Sequence, residues 1–221
     1  VRMSLSKKLL LLLPVAAVAL VSYTYINRPD QNGKEEAIDQ MLIQSLNQVH
    51  YSPMTVNDEF SQKVFKLYLE RLDYSKKFLI ESDVTELKKF ERSIDDDINT
   101  GNFTFFNKSV EIINHRIGEA KGYYTEILEK PFDFSTNDSM QLDPEKLNFS
   151  KDQADLKEAW RKSLKYQVLV QITDMTESQE KAKQRNDTAK TKDETFKIKS
   201  KEEIETAARQ KVLKNNNDYF L

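Results

Sequence analysis

The sequence predicts an all-α fold, and three observations carry that prediction. Four Gly and five Pro in 221 residues leave few places for tight turns, which disfavours a β-sandwich or a Gly-rich phosphate-binding α/β fold. Apolar residues recur at three- and four-residue spacing through most of the chain. Capping residues and breakers stand where such stretches begin and end. About six to seven helices are expected, with an ordered aromatic loop near residues 131–149. Hydrophobic residues make up 38% of the chain and charged ones 32%, so the core should be modest.

The first segment reads as a targeting signal. Basic Arg2, Lys7 and Lys8 precede an apolar run over residues 9–21, so residues 1–26 are expected to be a signal peptide or an N-terminal membrane anchor. Membrane contact, if the signal is uncleaved, would pass through residues 9–26 alone. Residues 27–35 open with Asn27, Arg28, Pro29 and Asp30 and reach Gly33, the composition of a tether. Ile38, Met41, Leu42, Leu46 and Val49 then form one helical stripe that Pro53 stops.

Asn57 can cap a second helix carrying Phe60, Val64, Leu67, Tyr68 and Leu72. Ser82 or Asp83 can open a third, with Val84, Leu87, Ile94 and Ile98 inside it and Gly101 at its end. A long helix is expected over 103–128, where Phe106, Val110, Ile113, Ile117, Tyr124 and Leu128 keep the spacing and Pro131 ends it. Phe132 and Phe134 should pin the following loop, since leaving them in water forfeits about 1.5 to 3 kcal/mol each. Ser150 and Gln153 have capping-box spacing ahead of a stripe of Leu156, Ala159, Trp160, Leu164 and Val168. Residues 174–203 are charged and poor in apolar anchors, as in a solvated helix or linker. Ser200 and Glu203 cap a last helix with Ile204, Ala207, Ala208 and Leu213 behind it. That helix should be weakly held, and Tyr219, Phe220 and Leu221 should lack a cover.

Composition removes several chemistries. Zero Cys excludes disulfides, cysteine nucleophiles and thiolate metal sites. With 34 basic against 36 acidic residues, the basic excess that a nucleic-acid partner asks for is missing, and no such partner is expected. Asp95, Asp97 and Asn99 alternate like the start of a calcium loop, but Thr100 stands where Gly is needed and Phe106 where the bidentate Glu belongs; an acidic helix end followed by a Gly turn is the better reading. His50 and His115 lie far apart, each without a neighbouring ligand. Ser-x-x-Lys occurs at Ser4 and Lys7, inside the signal, and at Ser178 and Lys181, inside the charged run. A serine–lysine dyad needs a desolvated amine, which neither context offers. The five Asn-x-Ser/Thr triplets, Asn102-Phe103-Thr104 among them, matter in a eukaryotic secretory pathway alone. No catalytic, cofactor-binding or metal-ligating residue is assigned, and no cofactor is expected.

Three separated segments nevertheless follow one another in a family-specific order: Leu72-Asp73-Tyr74-Ser75-Lys76-Lys77-Phe78-Leu79 with Ser82-Asp83-Val84, then Leu128-Glu129-Lys130-Pro131-Phe132-Asp133-Phe134 with Asn137-Asp138, then Trp160-Arg161 with Leu164-Lys165. Together they resemble the N-terminal helical domain of the tail-specific proteases, or carboxy-terminal processing peptidases. The resemblance covers about residues 36–218, and residues 36–221 are expected to form that domain. In complete members it implies a PDZ domain and a peptidase domain with a Ser/Lys dyad downstream, and a periplasmic location in a Gram-negative bacterium. Both parts are absent from these 221 residues, so the chain should be inactive alone, with protein substrates or an adaptor protein and the remaining protease domains as its partners. The competing expectation is a free-standing exported helical interaction protein with no proteolytic role.

Overall fold

The computed structural model describes Met41 and residues 55–188 and 197–220. The expected signal or anchor, the tether, the stripe over 38–49 apart from Met41, and Leu221 lie outside the described residues. Among the described residues the fold is all-α, with six α-helices: α1 (Asp58–Leu72), α2 (Glu81–Leu87), α3 (Ile94–Thr100), α4 (Thr104–Leu128), α5 (Gln153–Thr188) and α6 (Lys201–Tyr219). Short 3₁₀ turns occupy Lys88–Phe90 and Pro144–Lys146. None of these helices is long and apolar enough to cross a membrane.

The described residues fall into two compact units, the larger made of Val56–Asp97 and the residues from Phe103 onward, and the smaller including Ile98–Asn102. In the smaller unit the described turn is at Gly101, whose φ of 70° suits a residue without Cβ. In the larger unit α4, α5 and α6 pack on one another. Their shared core holds Ala120, Tyr124 and Leu128 from α4, Leu156, Trp160, Leu164 and Val168 from α5, and Ala208 and Val212 from α6. The α5 residues recur at four-residue spacing and so stack along one face of the helix.

Several caps follow the sequence. Asn57 accepts from the Phe60 N–H at 3.1 Å, and Ser200 with Glu203 forms a reciprocal capping box ahead of α6. Others differ. The third helix is two, α2 and α3, parted by the 3₁₀ turn, and its N-cap is Ile80 rather than Ser82 or Asp83. Asp83 acts from the third position of α2, accepting the Ile80 N–H at 2.9 Å. The acids of α3 fill its first turn rather than its end, where they complement the positive pole of the helix dipole. At α5 the capping carboxylate is that of Asp152, which accepts from the Asp155 N–H at 2.9 Å. Ser150 instead joins the isolated parallel bridge to Ile80, its carbonyl accepting from the Glu81 N–H.

The buried stripes also shift. In α1 the buried residues are Ser61 and Phe65, and Leu67 is exposed. In α4 the buried face runs Phe105, Ser109, Ile112, Arg116, Ala120, Tyr124 and Leu128, one residue round from the expected Phe106, Val110, Ile113 and Ile117. Polar Ser109 and Arg116 belong to that face because each has a partner: the Ser109 hydroxyl lies 2.6 Å from that of Tyr68, and Arg116 binds Asp83. In α5 Ala159 is exposed, and in α6 Val212 is buried while Ala207 and Leu213 are half-buried.

The C-terminal end is covered more fully than its sequence suggests. Phe220 stacks on Tyr124 with ring centroids 5.6 Å apart and packs edge-on to Phe78, and Tyr124 donates its hydroxyl to Asn217 at 2.8 Å. Ile204, Ala208 and Val212 are all buried, so α6 packs on the core through three side chains. Tyr219 remains exposed.

Candidate functional site

The segments that carry the family resemblance meet on α5. In the connection from α1 to α2, Asp73 is buried, and its carboxylate accepts three backbone N–H groups: Lys77 at 2.8 Å and Phe78 and Leu79 at 2.9 Å each. Three charge-assisted bonds to one side chain fix a tight turn that no helix or sheet ladder could satisfy. The turn forces Lys76 into the left-handed region at φ 51°. It also aims the Lys77 carbonyl at α5, where it accepts the Trp160 indole N–H at 2.8 Å.

The long loop after α4 is held by a second carboxylate. Asp138 accepts from Arg161 at 2.9 and 3.2 Å and from Lys165 at 2.6 Å. The buried Lys165 ammonium also reaches Thr136, so its three donors are all used. Hydrogen bonds from Arg161, then from Lys165, hold the Asp138 carboxyl well below the usual carboxylate range. Arg161 binds Glu158 as well, and that contact lowers the Glu158 carboxyl. Phe132 packs against the core, whereas Phe134 is on the surface, with the Lys165 ammonium 5.8 Å from its ring centre; Phe132 alone is a pin.

A third network ties α2 to α4 and α5. Arg116 donates from Nε and Nη2 to both oxygens of Asp83, at 2.8 and 2.9 Å, and from Nη1 to Glu119 at 2.7 Å. Glu119 in turn accepts from Gln153 at the start of α5. The bidentate Asp83 pair, then Glu119, raises the guanidinium pKa further. The residues of the family segments thus act on backbone and on one another.

Between these supports lies an open groove of about 580 Å³. One wall is the loop carrying Met140, Leu142 and Leu147; the other is the α5 face with Ala159, Lys162 and Tyr166; one end is the Ser75–Lys77 turn. Leu142 is 62% exposed, Tyr166 47% and Met140 39%, so apolar side chains face solvent across a recess. Periodicity alone put Ala159 in the core. Its small side chain instead leaves room in the groove.

The residues weighed for chemistry do not converge. Ser178 and Lys181 stand on the exposed part of α5, and Lys181 pairs with Glu177 at 3.5 Å, outside any apolar enclosure. Ser4, Lys7 and His50 lie outside the described residues. His115 is exposed beside Glu119. Asp95 faces Ser61, accepting its hydroxyl and donating its own N–H to the same oxygen, and Asp97 accepts the Phe105 N–H. Among the described residues no group of three or more His, Cys, Asp or Glu is placed to hold a metal ion.

Comparison with known proteins places the same segments in one family. Residues 42–220 match the family model described as the tail specific protease N-terminal domain. A protein named tail-specific protease, from Haemophilus influenzae, is 28% identical over 140 residues, which is 62% of this chain and 20% of that protein. The chain therefore spans about a fifth of the length of that relative within the aligned region.

Proposed function

Since this chain belongs to the tail-specific protease N-terminal domain family, we propose that it is the non-catalytic N-terminal portion of an exported carboxy-terminal processing serine protease. Its role is to support substrate or adaptor binding during proteolysis of envelope proteins, in the periplasm of a Gram-negative bacterium. Residues 1–26 serve as its signal or its anchor to the inner membrane. The observation that carries the binding role is the groove along α5, with apolar side chains in its walls and with Asp73 and Asp138 bonded to the turn and to α5 beside it.

The test uses the purified chain and a permanently unfolded protein with an apolar C-terminus, followed by sedimentation and by electrophoresis. A complex without cleavage is expected. Absence of a complex would refute the binding role, and fragments that disappear in Ser178→Ala would show a peptidase site in this chain.

A further inference from the structure

Resting on the reading that this unit binds proteins, we propose that the groove takes an extended internal segment of a partner protein in which apolar side chains adjoin carboxylates. Shape supplies the first argument. The loop wall over 139–143 lies outside helix, and the apolar groups that face solvent do so inside a recess rather than on a convex face. A recess of this form accepts a chain laid along it, with side chains entering beside Ala159, more readily than it accepts a flat bilayer surface.

Charge supplies the second argument. Of the two acids in the groove, Glu158 is offset by Arg161, which gives a 2.7 Å bond to each of its oxygens, whereas Asp155 accepts the Lys151 backbone N–H and keeps its charge. Lys76 is turned to the Asp73 carbonyl and the Phe149 ring. Lys77 and Lys162 line the groove too, and Lys162 acts on Glu158 at longer range. Lys76, Lys77 and Lys162 against Asp155 and an Arg161-bound Glu158 leave the lining with a positive excess. Carboxylates on the bound segment complement it, whereas lysines would meet like charge.

Trp160 lines the groove and is the chain's one tryptophan, so its emission reports on occupancy. The full chain is titrated with an end-blocked octapeptide alternating Asp and Glu with Leu and Phe, with its Asn and Gln counterpart, and with its Lys counterpart. The acidic peptide should shift Trp160 emission, and its affinity should fall by at least about tenfold in the Asn and Gln form and in the Lys77→Glu/Lys162→Glu variant. Ala159→Phe, at an exposed position, should abolish binding while its unfolding midpoint stays near that of wild type. Equal binding of acidic and basic peptides, or binding indifferent to Ala159→Phe, would overturn the proposal. Binding to phosphatidylglycerol vesicles but to none of the peptides would replace it with a lipid surface. If the unfolded protein is still captured while no peptide binds, the groove chemistry fails and the proposed function stands. Loss of both refutes both.

Discussion

The Trp160 indole N–H donates to the Lys77 carbonyl at 2.8 Å across 83 residues of sequence, joining the N-terminal part of α5 to the turn that Asp73 organises. The same indole lies in an aromatic cluster with Phe78, Tyr124 and Phe220, so one side chain links the α1–α2 connection, α4, α5 and the end of α6.

Trp160→Ala should therefore cost about 3 to 5 kcal/mol, a value set by the lost aromatic packing. Trp160→Phe keeps most of that packing and loses the hydrogen bond, with an expected cost of about 1 to 2 kcal/mol. Urea unfolding followed by far-ultraviolet circular dichroism measures both; a Trp160→Phe midpoint equal to that of wild type would show that the Lys77 contact contributes nothing, and equal midpoints for the two variants would show the same of the aromatic packing.

Asp73 makes a sharper prediction, because its carboxylate alone satisfies three N–H groups, one of them on fully buried Leu79. Asp73→Ala should destabilise by about 3 kcal/mol or more. In Asp73→Asn one oxygen can still accept, so its cost should be intermediate. Equilibrium unfolding of the two variants checks the order.

What could be read from sequence was mainly what is local. The Asn57 and Ser200 caps depend on residues within one turn, and Leu156, Trp160, Leu164 and Val168 announce their face because all four are apolar. The α4 face was hidden because Ser109 and Arg116 interrupt it, while Phe106, Val110, Ile113 and Ile117 offer a more apolar stripe one residue away. What places Arg116 inside is Asp83, 33 residues back, which hydrophobic periodicity cannot register. The groove was hidden for the same reason, since its walls come from the 75–77 turn, the loop after α4 and the outer face of α5. The family segments were legible as a pattern, but their role as supports for backbone and loop emerged from their long-range hydrogen bonds.

The Asp83–Arg116 pair has both side chains about nine-tenths buried, so removing one partner strands the other. Arg116→Met should cost about 3 to 5 kcal/mol, and adding Asp83→Ala should recover part of that loss rather than add to it. A double-mutant cycle by urea denaturation measures the coupling; simple additivity would mean the pair contributes no interaction energy.

The Asp138 clasp should respond to acid. Its carboxyl is held below the usual carboxylate range by Arg161 and Lys165, so the folded state binds its proton less readily than the unfolded chain does. Its contribution is complete above the unfolded value, about 4, and is lost as pH falls through the lowered folded value. Amide exchange in the loop over 133–143 should therefore accelerate below about pH 4, after correction for intrinsic rates, and Asp138→Asn should remove that pH dependence. A loop equally protected in wild type and variant would refute the clasp.

The last third of the chain should divide into two levels of protection. Helix α5 spans 36 residues, about 54 Å at the usual rise, and far exceeds what α4 can cover. Its Leu156 to Val168 stripe is buried, Ile172 and Met175 are half-buried, and the residues after them are largely exposed and charged. Helix α6 returns along it with Ile204, Ala208 and Val212 buried, Phe220 stacked on Tyr124, and Arg209 donating to the Leu128 and Glu129 carbonyls at the end of α4. Amides over 204–212 should exchange as slowly as those in the centre of α4, while amides over 178–188 should exchange orders of magnitude faster. Phe220→Ala should raise exchange at the C-terminal end of α6 and leave 204–208 nearly unchanged. Uniformly fast exchange across α6 would mean that its buried anchors do not hold it in solution.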